Sequence, residues 1–416
     1  MGQARAVVIG AGIGGLATAA GLCSAGWDVT VCDRASSLEP VGVALGLAPN
    51  GLRALDVFGA GDVLREHAVP QEVGIQRSDG RWLMRSTTGQ LIADRFGDPI
   101  ILLPRSAVIE ALAARVPAGV LSLRTEVTSV EPGGPGTARV ATTAGDLSAD
   151  LVVAAGGIGS AVRSALFPGH PGLRYAGFTT WRLLTGPVTG QAGVTGANGV
   201  NGQVQMAESW GRGTVFGVMP LADGRVYCYA AAPAPPGQRA ADDELAELVR
   251  LFGRWHEPIP ALLASVTPGD VLRHDVAELA GPLPSFHRGR VALLGDAAHP
   301  MTPNLGQGAC QALEDAAVIA RLAAGTDAGE VPALLARYTA VRLPRTQNVV
   351  RWSRRAGTMT TWSARPAVAF RNTAMWLAGR LPPSATIRGL VPVYGWRPPP
   401  AARPTAGGGP SASAAV

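Results

Sequence analysis

The chain has 416 residues, of which 47% are hydrophobic and 16% are charged. This composition provides for a large core and excludes an intrinsically disordered protein, and the length predicts two structural lobes. The formal charge is +6, and because the arginines are scattered along the sequence we expect no nucleic-acid partner. The chain contains no lysine, which excludes Schiff-base catalysis and a phosphate-binding P-loop.

The sequence indicates a cytoplasmic protein without a membrane-spanning helix. No run of about 18 apolar residues occurs. The first apolar run leads directly into glycines and lacks the cleavage pattern of a signal peptide. The cysteines do not have the spacing of metal ligands or redox pairs, so we expect reduced thiols and no metal site.

The N-terminal segment predicts a strand–helix–strand unit. Residues 4–9 form an apolar run of strand length, and glycines follow it. Residues 13–24 have a helical pattern, and a second apolar run over 27–32 ends at Asp33. A right-handed crossover between two parallel strands is expected.

Further along the chain the character of the sequence changes twice. After residue 172, short β segments separated by glycine turns predict a second, mostly antiparallel lobe. An α/β pattern returns with a buried strand at 291–294, followed by a helix from Gln307. The predicted segments are 1–72, 101–172 and 279–395 for the first lobe with its C-terminal helices, 73–100 and 173–278 for the second lobe, and 396–416 for a disordered tail.

A glycine motif lies between the first strand and the first helix. The pattern GxGxxG fits Gly10, Gly12 and Gly15. The first glycine permits a tight turn, the second lets a pyrophosphate approach the backbone, and the third lets helix and strand pack closely. Asp33 ends the second strand, where a carboxylate can bind ribose hydroxyls. These features predict a dinucleotide site, which by itself could hold FAD or NAD.

A second glycine motif occupies residues 289–308, GRVALLGDAAHPMTPNLGQG. A buried strand ends at Gly295 and Asp296, a proline-rich turn follows, and glycines open a helix. An acid at a strand end can bind sugar-like hydroxyls, and a helix start offers N–H groups to an electron-rich ring. The alternative is an Asp cap with an ordinary glycine turn.

Together the two motifs and Asp33 resemble the FAD-dependent aromatic hydroxylases, or group A flavoprotein monooxygenases, over residues 4 to about 355. The resemblance implies an α/β fold like that of p-hydroxybenzoate hydroxylase, in which a Rossmann-like FAD lobe interleaves with a mostly antiparallel substrate lobe. It also implies FAD as cofactor, NADH or NADPH as transient reductant, and oxygenation of an aromatic, polyketide or terpenoid molecule by a flavin hydroperoxide. The expected partners are this small molecule and dioxygen, with the chain a monomer or homodimer.

The resemblance carries roles to individual residues. Asp33 would hold the adenosine ribose, where the family more often has Glu, and Asp296 would hold the ribityl chain. Pro303 would lie beside the reacting face of the flavin, and backbone N–H groups would face its pyrimidine edge. The full set of implied cofactor-binding residues is Gly10, Gly12, Ile13, Gly14, Gly15, Asp33, Arg34, Arg105, Val127, Asp296, Leu305, Gly306, Gln307 and Gly308.

The substrate pocket is expected between the second lobe and the flavin. Arg182 either attracts an anionic or phenolic substrate or is a buried structural arginine. The resemblance places Trp181 beside Arg182, where many relatives have a Trp-Arg pair, and makes it a candidate for the pocket wall. Strand alternation adds four further candidates, for each of which an ordinary core role is favoured: Gln205, Met206, Phe216 and Val218. We expect His299 to be structural.

Residues 154–163, AAGGIGSAVR, depart from the family pattern. Gly157, Ser160 and Arg163 fit, but Gly156 stands where the family has an aspartate that helps to order FAD and the nicotinamide. The substitution is either tolerated or weakens reduction by NAD(P)H. In the second case a partner would reduce the flavin, or FAD would serve without oxygenation.

Two long helices are predicted over 331–355 and 366–380. Trp362, Phe370 and Trp376 alternate there with arginines. Packing on the FAD lobe is the favoured interpretation, and peripheral association with a membrane is the alternative.

Overall fold

The chain begins with the expected strand–helix–strand unit. In the computed structural model, which describes residues 3–38, 44–67, 73–86, 88–134, 136–187 and 204–400, β1 (Arg5–Ile9) and β2 (Asp28–Cys32) pair in parallel and α1 (Ile13–Ser24) connects them. Nine of the twelve residues of α1 are buried, because its helix is apolar on all sides. The helix is therefore an interior element rather than a surface one.

Strands β1 and β2 belong to a six-stranded sheet assembled from distant parts of the chain. Its other strands are β7 (Leu121–Ser122), β11 (Leu151–Ala154), β17 (His287–Arg288) and β18 (Val291–Leu293). The spatial order is β17-β18-β11-β1-β2-β7, and only the β17–β18 pair is antiparallel. The carboxyl ends of β1, β2, β11 and β18 therefore meet at one edge, where ligands bind in open α/β sheets.

Shorter elements complete this FAD lobe. They are β3 (Ala44–Leu47), α2 (Pro49–Asp56), α3 (Gly61–Arg65), β6 (Ile101–Pro104), α5 (Arg105–Ala113), β8 (Val127–Glu131), β9 (Ala138–Thr142), β10 (Gly145–Ala149) and α6 (Ala161–Leu166). Strands β8, β9 and β10 form a separate antiparallel sheet, and β3 pairs with β6.

A seven-stranded sheet forms the substrate lobe. Its strands are β4 (Val73–Arg77), β5 (Trp82–Ser86), β12 (Leu173–Leu184), β13 (Met206–Trp210), β14 (Val215–Pro220), β15 (Val226–Pro233) and β16 (Leu272–Leu279). The order is β16-β12-β15-β14-β13-β4-β5, and only β13 and β4 pair in parallel. Helices α7 (Glu244–Phe252) and α8 (Ile259–Ala264) pack on one face through a buried apolar cluster, so the two faces differ in character.

Helices follow the last strand of the FAD lobe. They are α9 (Gly308–Ala323), α10 (Val331–Thr360), α11 (Arg365–Ala378) and α12 (Pro383–Tyr394). Trp396 packs against the FAD-lobe core and its carbonyl accepts a hydrogen bond from Arg53 Nε at 2.9 Å. The predicted disordered tail at 396–416 therefore begins too early, and residues 401–416 lie outside the described part of the chain.

The fold class expected from the sequence is confirmed. Among the elements that the sequence did not predict are two helices, α4 (Thr88–Phe96), which lies in a segment expected to contain only strands, and α12. Both are amphipathic over only two or three turns, and they pack on each other through Ile92, Phe96 and Ile387. Because that contact joins segments almost 300 residues apart, local pattern does not reveal it.

Candidate functional site

The glycine loop between β1 and α1 assigns a different role to each glycine. Gly10 has φ +102°, and a Cβ there would lie 2.8 Å from the carbonyl oxygen of Ala155. A Cβ at Gly15 would lie 1.8 Å from the carbonyl oxygen of Gly10. A Cβ at Gly12 would meet no described protein atom within 4 Å. Gly10 and Gly15 therefore close the turn and bring helix and strand together, and Gly12 is left facing open space at the helix start.

The neighbouring positions of the loop face inward. The Cβ that Gly14 lacks would lie 2.5 Å from Leu294 Cδ2, and the side chain of Ile13 is buried. Gly14 thus permits close packing of α1 on the end of β18 and does not itself offer space to a ligand. Ile13 can therefore contribute to a cofactor site only through its backbone, at the first turn of the helix.

Asp33 holds the glycine loop from the end of β2. Its carboxylate accepts hydrogen bonds from the N–H of Ala11 at 2.6 Å and of Ala35 at 2.8 Å. Each oxygen keeps a second lone pair for a ribose hydroxyl. Val127 opens β8 nearby, two residues after Thr125, whose N–H binds the carbonyl of Asp33 at 2.8 Å. Arg34 is exposed.

Arg105, the first residue of α5, has a buried Nε with no hydrogen-bond partner among the described residues. Burial lowers the pKa of its guanidinium and Arg182 adds to this effect, whereas the negative charge of Asp296 opposes it. A guanidinium with an unpartnered buried donor is suited to a phosphate or another anion, which would satisfy the donor and compensate the burial.

Asp296, in the turn after β18, is accessible to solvent although burial raises the pKa of its carboxyl group. A side chain that is both accessible and largely surrounded by protein lies within a concave site. Four groups act on its pKa in the opposite direction: His299, Arg105, Arg163 and Arg182. The charges of Arg105 and Arg182 therefore both act on Asp296. These three residues, each a site candidate from the sequence, lie close enough to interact.

Arg163 joins two loops at the sheet edge. Its Nη1 donates to the carbonyls of Asp296 and Ala297, both at 3.3 Å, and its Nη2 donates to the carbonyl of Ile158 at 2.6 Å. Gly156 lies in the loop before it and contributes no carboxylate. A Cβ at Gly156 would meet no described atom within 4 Å, and its φ lies outside the left-handed region. A larger residue there fits the backbone and the space.

A buried polar network lies under the turn that carries Asp296. Asp315 of α9 accepts hydrogen bonds from the N–H of Gly295 at 2.9 Å and from Arg342 Nε at 2.6 Å, and it pairs with His299 Nε2 at 2.6 Å. Burial alone would raise the pKa of Asp315, but His299, Arg342 and the Gly295 N–H together lower it. This network, missed from the sequence, positions Asp296, and His299 has the structural place expected for it.

The start of α9 presents backbone rather than side chains to the site. Gly306 adopts a left-handed conformation with φ 60°. Its N–H donates a hydrogen bond to the carbonyl of Pro303 at 2.8 Å, within the turn. The Gln307 side chain is buried and accepts from Asn50 Nδ2 at 2.9 Å. The N–H groups at the first turn of α9, which begins at Gly308, have no intrahelical partners and remain for a ligand.

The substrate-lobe sheet turns Arg182 toward this site and three expected wall residues away from it. The side chains of Trp181, Phe216 and Val218 lie in the cluster that packs on α7 and α8. Trp181 Nε1 donates to Glu244 Oε2 of α7 at 2.7 Å. These three positions are corrected to core residues, because strand alternation gives two faces without telling which one meets the cofactor.

The opposite face carries a polar pair that was not expected. Arg182, Tyr229 and Glu208 occupy one transverse row of the sheet, with Gly217 between the last two. The Tyr229 hydroxyl donates to Glu208, whose other oxygen accepts from Trp210 Nε1 at 2.8 Å. Met206 lies on this face, two residues before Glu208. Gln205 immediately precedes β13 and is half-buried.

Taken together, the open position at Gly12, the unpartnered Arg105 donor and the accessible Asp296 fit a flavin dinucleotide. The sequence matches the family described as FAD binding domain over residues 3–353. The chain belongs to this family and is an FAD-dependent oxidoreductase of the aromatic-hydroxylase-type monooxygenases.

Its similarity to individual relatives spans most of the chain. It is 34% identical to the aurachin C monooxygenase/isomerase of Stigmatella aurantiaca, over 86% of this chain and 89% of the relative. It is 31% identical to the FAD-dependent urate hydroxylase of Klebsiella pneumoniae, over 83% and 88%. The crystal structure of Klebsiella pneumoniae HpxO with FAD and uric acid superposes with a TM-score of 0.81 at 27% identity, covering 93% and 95%.

Proposed function

We propose that the chain hydroxylates or epoxidises an aromatic or other electron-rich small molecule, with NADH or NADPH as reductant. One atom of dioxygen enters the substrate, and the other leaves as water formed with the hydride from the nicotinamide and one proton. The observation that supports this most directly is that Arg105 and Asp296 of one lobe interact electrostatically with Arg182 of the other. Arg105 and Asp296 would hold the cofactor, and Arg182 would contribute to the substrate side of the same site.

The residues of the chain contribute binding, orientation and exclusion of water. The backbone at Gly12 and the guanidinium of Arg105 would hold the pyrophosphate, Asp33 the adenosine ribose and Asp296 the ribityl hydroxyls. Bound FAD supplies the redox chemistry. The N–H groups at the first turn of α9 would stabilise negative charge on the reduced ring, and Pro303 would border the reacting face.

The substrate side of the site combines one cation with one half-buried carboxylate. Arg182 can attract an anionic or phenolic oxygen, and Glu208 can accept a hydrogen bond from an N–H or O–H group of the substrate. One relative is named as a urate hydroxylase, and urate carries both N–H donors and carbonyl acceptors, which supports a ring substrate with both kinds of group.

A second candidate is a flavoprotein that a partner reduces, and Gly156 is the observation that favours it. Anaerobic mixing of the FAD-bound chain with NADH and then NADPH, each with a panel of hydroxylated and N-heterocyclic aromatics, separates the two. Bleaching of the flavin that a panel compound accelerates supports the monooxygenase, and no bleaching under any condition contradicts nicotinamide-driven reduction.

Two matched variants refine this experiment. Gly156→Asp restores the family carboxylate at a position with space for it, and Gly159→Asp adds the same charge in the same loop, also without described neighbours. If the missing carboxylate limits reduction, Gly156→Asp bleaches at least tenfold faster than the parent chain and Gly159→Asp does not. Equal rates in all three chains would show that Gly156 is a tolerated substitution.

A further inference from the structure

Helix α11 keeps an apolar face in solvent. Of its residues only Arg371 is buried, and this arginine anchors the helix to the substrate lobe by donating from Nη2 to the carbonyl of Gly211 at 2.9 Å. On the outer side, Phe370 is 69% exposed and Leu377 is 54% exposed. They are seven residues apart and so share one helix face. The sequence interpretation that these helices pack on the FAD lobe therefore does not hold for this face.

Two more large apolar side chains are exposed, one near the end of α11 and one just beyond it. Trp376 is 44% exposed and Leu381 is 57% exposed. The guanidinium of Arg380 stacks on the Trp376 ring, with its Cζ 3.2 Å from the ring centroid. We call Phe370, Trp376, Leu377 and Leu381 the α11 apolar face. Four large apolar side chains on one short segment, flanked by a stacked arginine, form a patch rather than scattered exposed residues.

The charge of the chain divides sharply after Glu330. The 86 residues that follow contain 12 arginines and no acidic residue, whereas the first 330 contain 24 arginines and all 30 acidic residues. The formal charges are therefore +12 and −6. The arginines that appear scattered along the sequence are in fact unbalanced in this C-terminal part alone.

Most of this positive charge is directed outward. Among the described residues, ion pairs with acids involve Arg342, Arg345 and Arg354 of this segment, which bind Glu314, Asp315 or Glu278. The exposed arginines of the same segment are Arg337, Arg351, Arg355, Arg365, Arg380, Arg388 and Arg397. Arg365 is the first residue of α11, and Arg380 lies two residues after its end.

We propose that the α11 apolar face binds an anionic membrane surface, with α11 lying in the plane of the interface. Apolar side chains enter the boundary between headgroups and acyl chains, tryptophan prefers that depth, and arginines pair with anionic lipids. None of the described helices combines the length and apolar content needed to cross a bilayer. The interaction is thus one of adsorption.

Charge and side-chain chemistry favour this occupant over two others. A symmetric contact with a second copy would bring the same arginine-rich surface against itself, and like charges oppose that association. A nucleic acid would satisfy the arginines but offers no apolar phase to Leu377 and Leu381, which cannot stack on bases as aromatic rings do. An acyl-chain boundary with anionic headgroups satisfies both.

Vesicle co-sedimentation of the full-length FAD-bound chain tests the proposal. The probes are vesicles of phosphatidylcholine alone and vesicles in which about one lipid in three is phosphatidylglycerol. Each is tested at low and at high salt. We expect binding to the anionic vesicles at low salt and at least tenfold weaker binding to neutral ones. Removing Arg365 and Arg380 by substitution with Gln should weaken binding about fivefold per charge.

Matched variants separate the apolar face from charge in general. Phe370→Ser with Leu377→Ser should weaken vesicle binding at least tenfold, whereas Val249→Ser, a valine of α7 that is 48% exposed, should leave it unchanged. Flavin absorbance and thermal unfolding report whether each variant is folded, and neither depends on the proposed reaction.

Three results would overturn the proposal. One is no binding of the parent chain to anionic vesicles. Another is equal binding by the parent and the Phe370→Ser/Leu377→Ser variant. The third is a parent dimer in light scattering that this variant converts to a monomer, because a second copy would then cover the face.

Discussion

The ring of Tyr229 lies across Gly217, where a Cβ would be 2.3 Å from two of its atoms. Gly217 belongs to β14, between the strands of Tyr229 and Glu208, and its missing side chain lets the Tyr229 hydroxyl reach the Glu208 carboxylate. Burial first, and then the charge of Glu208, raises the pKa of Tyr229 well above its ordinary value. The phenol therefore remains a proton donor throughout the working pH range.

Gly217→Ala should break this hydrogen bond by displacing the ring. Glu208 would keep only the Trp210 donor, so we expect a loss of about 1–3 kcal/mol in the free energy of unfolding. Urea denaturation measures it. Gly46→Ala is the control, because the nearest atom to its new Cβ is 4.0 Å away. If that variant changes the free energy of unfolding by more than about 0.5 kcal/mol, the loss at Gly217 reflects a general cost of methyl groups in strands.

Two loop glycines should differ in what their replacement by alanine affects. Gly12→Ala places a methyl group in open space, so the unfolding temperature of the apoprotein should change little while FAD binding is lost. Gly15→Ala collides with the Gly10 carbonyl, so the apoprotein itself should be destabilised. Thermal unfolding without FAD, followed by FAD titration, separates the two. A Gly12→Ala protein with parental FAD affinity would argue against a pyrophosphate at this position.

Arg105→Gln should weaken FAD binding by about tenfold to a hundredfold. The estimate is that of one lost charge-assisted hydrogen bond, about 1.5–3 kcal/mol. Apoprotein titrated with FAD and followed by flavin fluorescence gives the dissociation constant. Arg115→Gln, at an exposed arginine just after the same helix, is the matched control. Equal losses in both variants would attribute the effect to net charge instead of to the Arg105 position.

Asp296→Asn should stabilise the apoprotein and weaken FAD binding. Because burial raises the pKa of Asp296 in the folded chain, the folded state binds more protons than the unfolded state between the ordinary and the raised pKa. Stability therefore falls as pH rises through that window and stays lower above it. Asn carries no charge and so avoids the loss of stability that comes from burying the ionised carboxylate. The variant should therefore unfold at higher temperature at pH 7, and this difference in unfolding temperature should disappear below about pH 4. A lower unfolding temperature at pH 7 would contradict the argument.

The parts of the site that the sequence predicted are those encoded by local pattern. An apolar run, spaced glycines and a terminal acid define the turn around Gly12 and the place of Asp33, since each acts within one strand–helix–strand unit. The second motif placed Asp296 in the same way. The inward role of Gly14 was not predicted, because it depends on Leu294, far away in the sequence.

What escaped prediction depends on which surfaces meet. The alternation of β12 and β14 was correctly detected, but Trp181 and Phe216 turned out to face α7, because period-two pattern is the same for either face. The Asp315 network was missed for a related reason. Its partners His299 and Arg342 come from different elements, and a charged residue on a helix is usually solvated.

The order of strands in the six-stranded sheet has a consequence for synthesis of the chain. Strand β18, near residue 291, pairs with β11, and its following turn carries Asp296, so the edge that receives FAD is incomplete until about 300 residues have emerged from the ribosome. At about 5–20 residues per second, synthesis of this stretch takes tens of seconds. The strands made first must wait that long for β18. During that interval the edge of β11 that β18 later covers has no partner strand.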